Sequence, residues 1–151
     1  MDSIDVKILE LLQENARVSV SEISRKVNLS LSAVSERLKK LEASKVIKNY
    51  TIILDPEFLG KELSVIMNIS LENPEHTQEF IKFIQGEGEI LECHYITGDY
   101  DYALKITTRN TQTLEHMMNR IKSVPGIKKT QTNVVLSTLK NLYSVSPSPT
   151  K

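Results

Sequence analysis

The chain has 151 residues, room for one ordinary domain or two small ones. Hydrophobic residues make up 40% and charged residues 25%, a globular composition that excludes a disordered or fibrous chain. Lys+Arg and Asp+Glu both number 19, so the formal balance is zero, which excludes a uniformly basic nucleic-acid coat but not a local basic patch.

The first third reads as three short helices. In residues 3–15 the apolar set is Ile4, Ile8, Leu11 and Leu12, one face of a helix. Ser19 with Glu22 three residues on is the pattern of a capping box. It opens a second helix with Val20, Ile23 and Val27 on its buried side, ended by Asn28, which tolerates the left-handed conformation. Ser30 then caps a third helix with the apolar set Leu31, Val34, Leu38 and Leu41. So tight a turn between two short helices is the helix-turn-helix arrangement.

Charge concentrates in this region. Residues 25–48 hold Arg25, Lys26, Arg37, Lys39, Lys40, Lys45 and Lys48 against only Glu36 and Glu42. A basic block inside a neutral chain is a candidate phosphate-contacting surface. A solvated helix face with no partner is the plainer alternative. On the third helix the outward positions begin small or hydrogen-bonding and become basic. That order suits a helix whose first half meets base edges while its later part meets phosphates. The candidate DNA-binding residues are Ser30, Ser32, Ala33, Ser35, Glu36, Arg37, Lys39 and Lys40. Among them Ser32 and Glu36 could touch bases, and Arg37, Lys39 and Lys40 would take phosphate oxygens.

Beyond Ala43 the chain enters Asn49–Leu54, where Tyr50, Ile52, Ile53 and Leu54 predict a strand. Asp55-Pro56 and Gly60 then punctuate the chain. The spacing gives a helix-turn-helix domain over 1–45, a hinge strand and linker over 46–60, a second domain over 61–143 and a tail over 144–151.

The second domain alternates strand and helix. Leu63–Leu71 puts Val65, Met67, Ile69 and Leu71 on one face of a strand. Asn73-Pro74 opens a helix with Phe80, Ile81 and Ile84 that stops at Gly86. Strands follow at Ile90–Thr97 and Asp101–Thr107, flanking the turn-rich Gly98-Asp99. A helix with Leu114, Met117, Met118 and Ile121 comes next, and a long final strand runs over Ile127–Leu139. The order β-α-β-β-α-β is the ferredoxin-like split, so the fold class is α+β, with a three-helix winged helix-turn-helix domain ahead of it. Ser144–Lys151 is a polar tail expected to be mobile. Two helices cover one face of such a sheet. If the other face is apolar it needs a second partner, and a dimer is the economical one.

Cys93 is the single cysteine, which excludes an internal disulfide and a cysteine-cluster zinc site. No apolar run approaches the roughly 18 residues that cross a bilayer. Residues 1–20 carry Asp2, Asp5, Glu10 and Glu14 and lack the pattern of a signal peptide. A reducing cytoplasm is the expected location. His76, His94 and His116 fall in no catalytic or zinc-ligand spacing, and no glycine-rich phosphate loop is present. No enzyme activity, metal or cofactor is expected.

Four stretches, in order, carry a family resemblance. They are IDVKILELLQENARVSVSEIS (Ile4–Ser24), LSLSAVSERLKKLEASKVIKNYTIILDP (Leu29–Pro56), TGDYDYALKI (Thr97–Ile106) and TQTNVVLSTLK (Thr130–Lys140). Together they resemble the Lrp/AsnC, or feast/famine, transcriptional regulators along nearly the whole chain. Leu31 departs from the pattern, standing where many members place Pro. The resemblance implies a sequence-specific DNA-binding regulator, a homodimer assembling further, commonly to an octamer, and a small effector such as an amino acid bound between dimers. By matched motif it implies effector-binding roles for Thr97, Gly98, Asp99, Tyr100 and Asp101, with Thr130 and Thr132 as additions. The chemistry fits: a carboxylate accepts from an ammonium, and backbone N–H groups at a glycine turn donate to a carboxylate. A plain hairpin turn is the competing account of the loop. Two other functions remain open: an effector-independent, nucleoid-like architectural DNA-binding protein, and, remotely, a siroheme decarboxylase-like enzyme. The enzyme would need tetrapyrrole-binding His and Arg groups, and the second domain offers only Arg109 and Arg120 as arginines.

Overall fold

The structure is a computed structural model and describes residues 1–149. It divides into two compact units, residues 1–53 with residues 140–149, and residues 54–139.

The first unit is built on three helices, α1 (Ser3–Glu14), α2 (Val20–Val27) and α3 (Leu31–Ala43). Each starts where a side chain satisfies free backbone N–H groups. Asp2 accepts from Ile4 and Asp5, with Asp5 returning a bond to the Asp2 N–H, a reciprocal box. Ser19 accepts from the Glu22 N–H at 3.1 Å, and Ser30 from the Ala33 N–H at 3.2 Å. The box expected at Ser19 is half made, because the Glu22 carboxylate turns to Lys26 instead. Asn28 ends α2 in the left-handed region, φ 54° and ψ 48°. Ile8, Leu11, Ile23, Val34 and Leu41 meet in the core. The turn between α2 and α3 is closed by Ser24 Oγ, which donates to the Leu29 carbonyl.

One expectation fails here. No strand forms over Asn49–Leu54, so the helices carry no wing or hinge strand. A strand needs a neighbour to pair with, and this segment has none among the described residues. Ile52, Ile53 and Leu54 are left exposed. The tail 144–151 lies outside the described residues only at Thr150 and Lys151. Its earlier part runs beside α1, where Gln13 Nε2 donates to the Val145 carbonyl at 2.8 Å.

The second unit is a four-stranded antiparallel sheet in the order β2-β3-β1-β4, with β1 Leu63–Leu71, β2 Ile90–Tyr95, β3 Tyr102–Thr108 and β4 Ile127–Val134. Asn73 caps a 3₁₀ turn at Pro74–His76, and α4 (Thr77–Gln85) follows. Helix α5 (Thr111–Lys122) is opened by an Asn110–Thr113 capping box. Val65, Met67, Ile69, Leu104 and Ile106 alternate onto one face and pack with Phe80, Met117 and Ile121 from the helices. This is the expected β-α-β-β-α-β order. The last strand ends at Val134 and does not reach Leu139. Among the described residues its only neighbour is β1, and the last ladder bond, Val135 N–H to the Ser64 carbonyl, comes where β1 begins. Strand β2 likewise stops at Tyr95, two residues short of Thr97. Among the described residues no helix is long and apolar enough to cross a membrane.

The sheet's other face is polar. His94, Ala103, Asn68 and Gln131 form one cross-strand row, and Glu92, Lys105, Ile66 and Asn133 the next. Glu92 bridges His94 and Lys105, at 3.1 Å to each, and these two bonds hold its carboxyl below the usual range. An apolar face that must be covered is therefore not what this sheet presents.

Candidate nucleic-acid interface and ligand site

Helix α3 displays its expected outward residues unevenly. Ser32, Glu36, Lys39 and Lys40 are exposed, whereas Ala33, Ser35 and Arg37 are partly covered. Ser30 is used as the cap and also bonds Ser32 Oγ at 3.0 Å. Lys40 pairs with Glu36 at 2.9 Å, one turn away, and both side chains are about 70% exposed. Hydrogen bonding to Lys40 lowers the Glu36 pKa. So exposed a pair contributes little, and Lys40 can leave it for a phosphate at small cost. Lys39 has no ion-pair partner among the described residues.

Arg37 behaves differently. Its guanidinium donates to Asp5 at 2.6 Å and to Asp2 at 2.8 Å. Its side chain is 28% exposed and that of Asp5 only 15%. These bonds tie the start of α1 to the middle of α3, and they hold the Arg37 pKa above its ordinary value. Arg37, expected to take a phosphate, has its Nη1 turned to two carboxylates within the chain. The signal was legible in Asp2 and Asp5, acids one turn apart at the start of α1, but their partner was not. Together these residues line a groove of about 910 Å³ with Ala33, Glu36 and Lys40.

An acid-limb prediction arises here. The Asp5 backbone N–H, then Arg37, hold the Asp2 carboxyl below its ordinary 3.8. A depressed folded-state value stabilises the unit above that pH and is lost as pH falls through the lower value. Melting temperature should therefore fall on acidification below about pH 4, and Asp2→Asn, which keeps a good N-cap, should flatten that limb. Melts by circular dichroism across the acid range check it; an unchanged limb in Asp2→Asn would remove Asp2 from the account.

In the second unit, the loop between β2 and β3 is held from several sides. Gly98 sits at φ 117°, a conformation that favours glycine. Ser70 Oγ donates to the Asp99 carbonyl at 3.2 Å, and Lys129 Nζ lies 4.7 Å over the Tyr100 ring. Asp101 Oδ2 accepts from the Leu71 N–H at 2.8 Å. Its N–H donates to the Ile69 carbonyl, and its carbonyl accepts from Ile96.

Beside this loop lies a cleft of about 480 Å³ lined by Leu71, Pro74, Thr77, Ile81, Tyr95, Asp101 and Tyr102. Of the seven expected effector residues only Asp101 reaches it. Thr97, Gly98 and Asp99 are exposed outside it, and Tyr100 turns to Lys129. Thr130 and Thr132 pair with Ile69 and Met67 on β4, away from the cleft wall. Thr132 Oγ1 is buried without a hydrogen-bond partner. The other cleft walls were not singled out from the sequence. Their one legible sign is Tyr95 and Tyr102 flanking the loop, which the register places opposite each other. Among the described residues no group of three or more His, Cys, Asp or Glu side chains could hold a metal.

Comparisons with known proteins agree with this architecture. A family model described as the AsnC-type helix-turn-helix domain matches residues 1–42, and one described as the Lrp/AsnC ligand binding domain matches residues 64–145. The HTH-type transcriptional regulator FL11 of Pyrococcus horikoshii is 36% identical over 140 residues, covering 93% of this chain and 92% of its own. The leucine-responsive regulatory protein of Haemophilus influenzae is 38% identical over 143 residues, covering 93% and 86%. The solved structure of the transcriptional regulator NMB0573 of Neisseria meningitidis, in complex with L-Met, superposes with a TM-score of 0.92 at 30% identity, covering 96% of each chain. With its helix-turn-helix unit and its ligand-binding unit both matched, this chain belongs to the Lrp/AsnC family of transcriptional regulators.

Proposed function

We propose that this regulator binds double-stranded DNA sequence-specifically through α3, and that an amino acid bound in the second unit adjusts its assembly and DNA affinity. The observation that carries the DNA reading is the exposed run Ser32, Glu36, Lys39 and Lys40 on the second helix of a helix-turn-helix. On this reading Ser32 and Glu36 meet base edges, and Lys39 and Lys40 meet phosphates. Ser30 and Arg37 serve the geometry of α3, one as cap and one as strut. The relatives' names support the effector reading, since one is leucine-responsive and another was solved with L-Met.

A homodimer suits both halves of this reading. Two-fold symmetry matches paired recognition helices to a palindromic site. The exposed Ile52, Ile53 and Leu54 form a β-prone segment to which a second copy could add a partner. The sheet's polar face would make a wet, hydrogen-bonded contact rather than an apolar one. Assembly beyond the dimer, to an octamer with the effector between dimers, follows the family resemblance.

Sedimentation of the full chain with each of the twenty amino acids, followed by titration onto DNA upstream of its own gene, tests the whole. A shift in assembly with one amino acid, coupled to altered DNA affinity, is expected. Tight DNA binding with no response to any amino acid would leave an effector-independent DNA-binding protein.

A further inference from the structure

We infer that Glu36 is a specificity-determining residue of α3 and reads cytosine in the major groove. This rests on the DNA reading above and names the base at one position of each half-site.

Helix α3 holds two carboxylates, Glu36 and Glu42. Glu42 lies in the last turn and accepts from the Tyr50 hydroxyl at 3.0 Å. Glu36 is exposed, one turn beyond the exposed Ser32 and on the same side of the helix. Helix stability does not call for an acid there. Glu36 stands in the second turn, past the free N–H groups that a carboxylate would cap, and Ser30 is the cap. Its pair with Lys40 at 2.9 Å is too exposed to contribute much. Its pKa lies below the ordinary 4.5, first through the Lys40 hydrogen bond, so at neutral pH the group is a carboxylate.

DNA changes the balance. When Lys40 turns to a phosphate, Glu36 loses its one ion-pair partner among the described residues. A bare carboxylate facing a polyanion is unfavourable unless a donor meets it. The major-groove edges decide which base supplies one. Guanine shows the acceptors N7 and O6, and thymine the acceptor O4 beside a methyl group. These repel a carboxylate. Adenine offers its N6 amino group next to the N7 acceptor, so a carboxylate that takes the first crowds the second. Cytosine offers N4–H with no acceptor on its own groove edge.

The same inventory makes Glu36 a discriminator and not a general contact. Against a wrong base its charge stays unpaired, which costs more than a missing neutral hydrogen bond. Lys39 and Lys40 cannot discriminate in this way, because phosphates are alike at every step.

The test is selection of bound sequences from a randomised DNA pool at fixed salt, with the full chain, Glu36→Gln and Glu36→Ala. The unsubstituted chain should require C·G at one position of each half-site, with other pairs about tenfold weaker. Glu36→Gln should move that position towards A·T, since an amide pairs with adenine N6 and N7. Glu36→Ala should lose the preference there and keep it elsewhere. It should also bind unrelated DNA at least as tightly, because a repelled charge is gone. Both variants should melt with the unsubstituted chain, the lost pair being exposed. An unchanged preference in Glu36→Ala would overturn the inference while leaving sequence-specific binding in place. So would an A·T pair, in the unsubstituted chain's site, at the position that Glu36→Ala relaxes. Salt-sensitive binding with no base preference at all would remove the sequence-specific reading, and this inference with it.

Discussion

Replacing Gly126 with alanine should destabilise the second unit by about 3 kcal/mol. Two costs add. Gly126 has φ +82°, a region that costs an L side chain roughly 1–2 kcal/mol. A Cβ there would also stand 2.2 Å from Cδ2 and Cγ of His76 and 2.5 Å from its Cβ. These atoms lie close to the backbone of the 3₁₀ turn, so a rotamer change cannot clear them and the turn must move. Overpacking of this kind costs typically about 1–3 kcal/mol. The Gly126 carbonyl also accepts from the Glu72 N–H at 2.8 Å, so the strain reaches the end of β1. Denaturant unfolding of Gly126→Ala should show the loss. In the double variant His76→Ala, Gly126→Ala the steric part should return and the backbone part should not. Additive losses in the double variant would refute the contact.

Reversing charge at Lys39 should weaken binding to every DNA sequence alike, by roughly tenfold or more, because a phosphate contact carries no sequence information. Its sharper signature is the salt dependence. Each lost phosphate contact removes about 0.9 from the slope of log affinity against log salt. Lys39→Glu should show that reduction in fluorescence anisotropy titrations at several salt concentrations. Arg37→Gln is the informative contrast. Arg37 already faces Asp2 and Asp5, so its loss should lower the melting temperature of the helical unit and leave the slope unchanged. If Arg37→Gln reduced the slope and Lys39→Glu did not, the assignment of phosphate contacts on α3 would be reversed.

Much of this protein follows from local rules. The starts of α1, α2 and α3 lie where Asp2, Ser19 and Ser30 can bond free N–H groups, and α2 ends where Asn28 can turn left-handed. The apolar residues of β1 and α5 recur at the periods of strand and helix, so their buried faces were readable before any contact was known. Helix propensity, capping and periodicity depend on residues within a turn or two of each other, and the sequence states them directly.

Only the tertiary structure decided the rest, because the deciding partner lies far along the chain. Arg37 reads as a phosphate ligand by type and position, yet its Nη1 also bonds Asp5, 32 residues earlier in the chain. Asn49–Leu54 has strand composition yet forms no strand, and β4 stops at Val134, because each ladder needs a neighbour at the right height. The loop Thr97–Asp101 was legible as a motif, but its inward-facing member was not: Asp101 alone lines the cleft, while Tyr100 is drawn away by Lys129. The cleft gathers Leu71, Ile81 and Tyr95 from a strand, a helix and an edge strand. By itself the sequence determined where the helices start and which faces of β1 and α5 are buried. Folding determined which charges are spent within the chain and which remain for a partner, since a side chain's availability depends on what packing brings within hydrogen-bond reach.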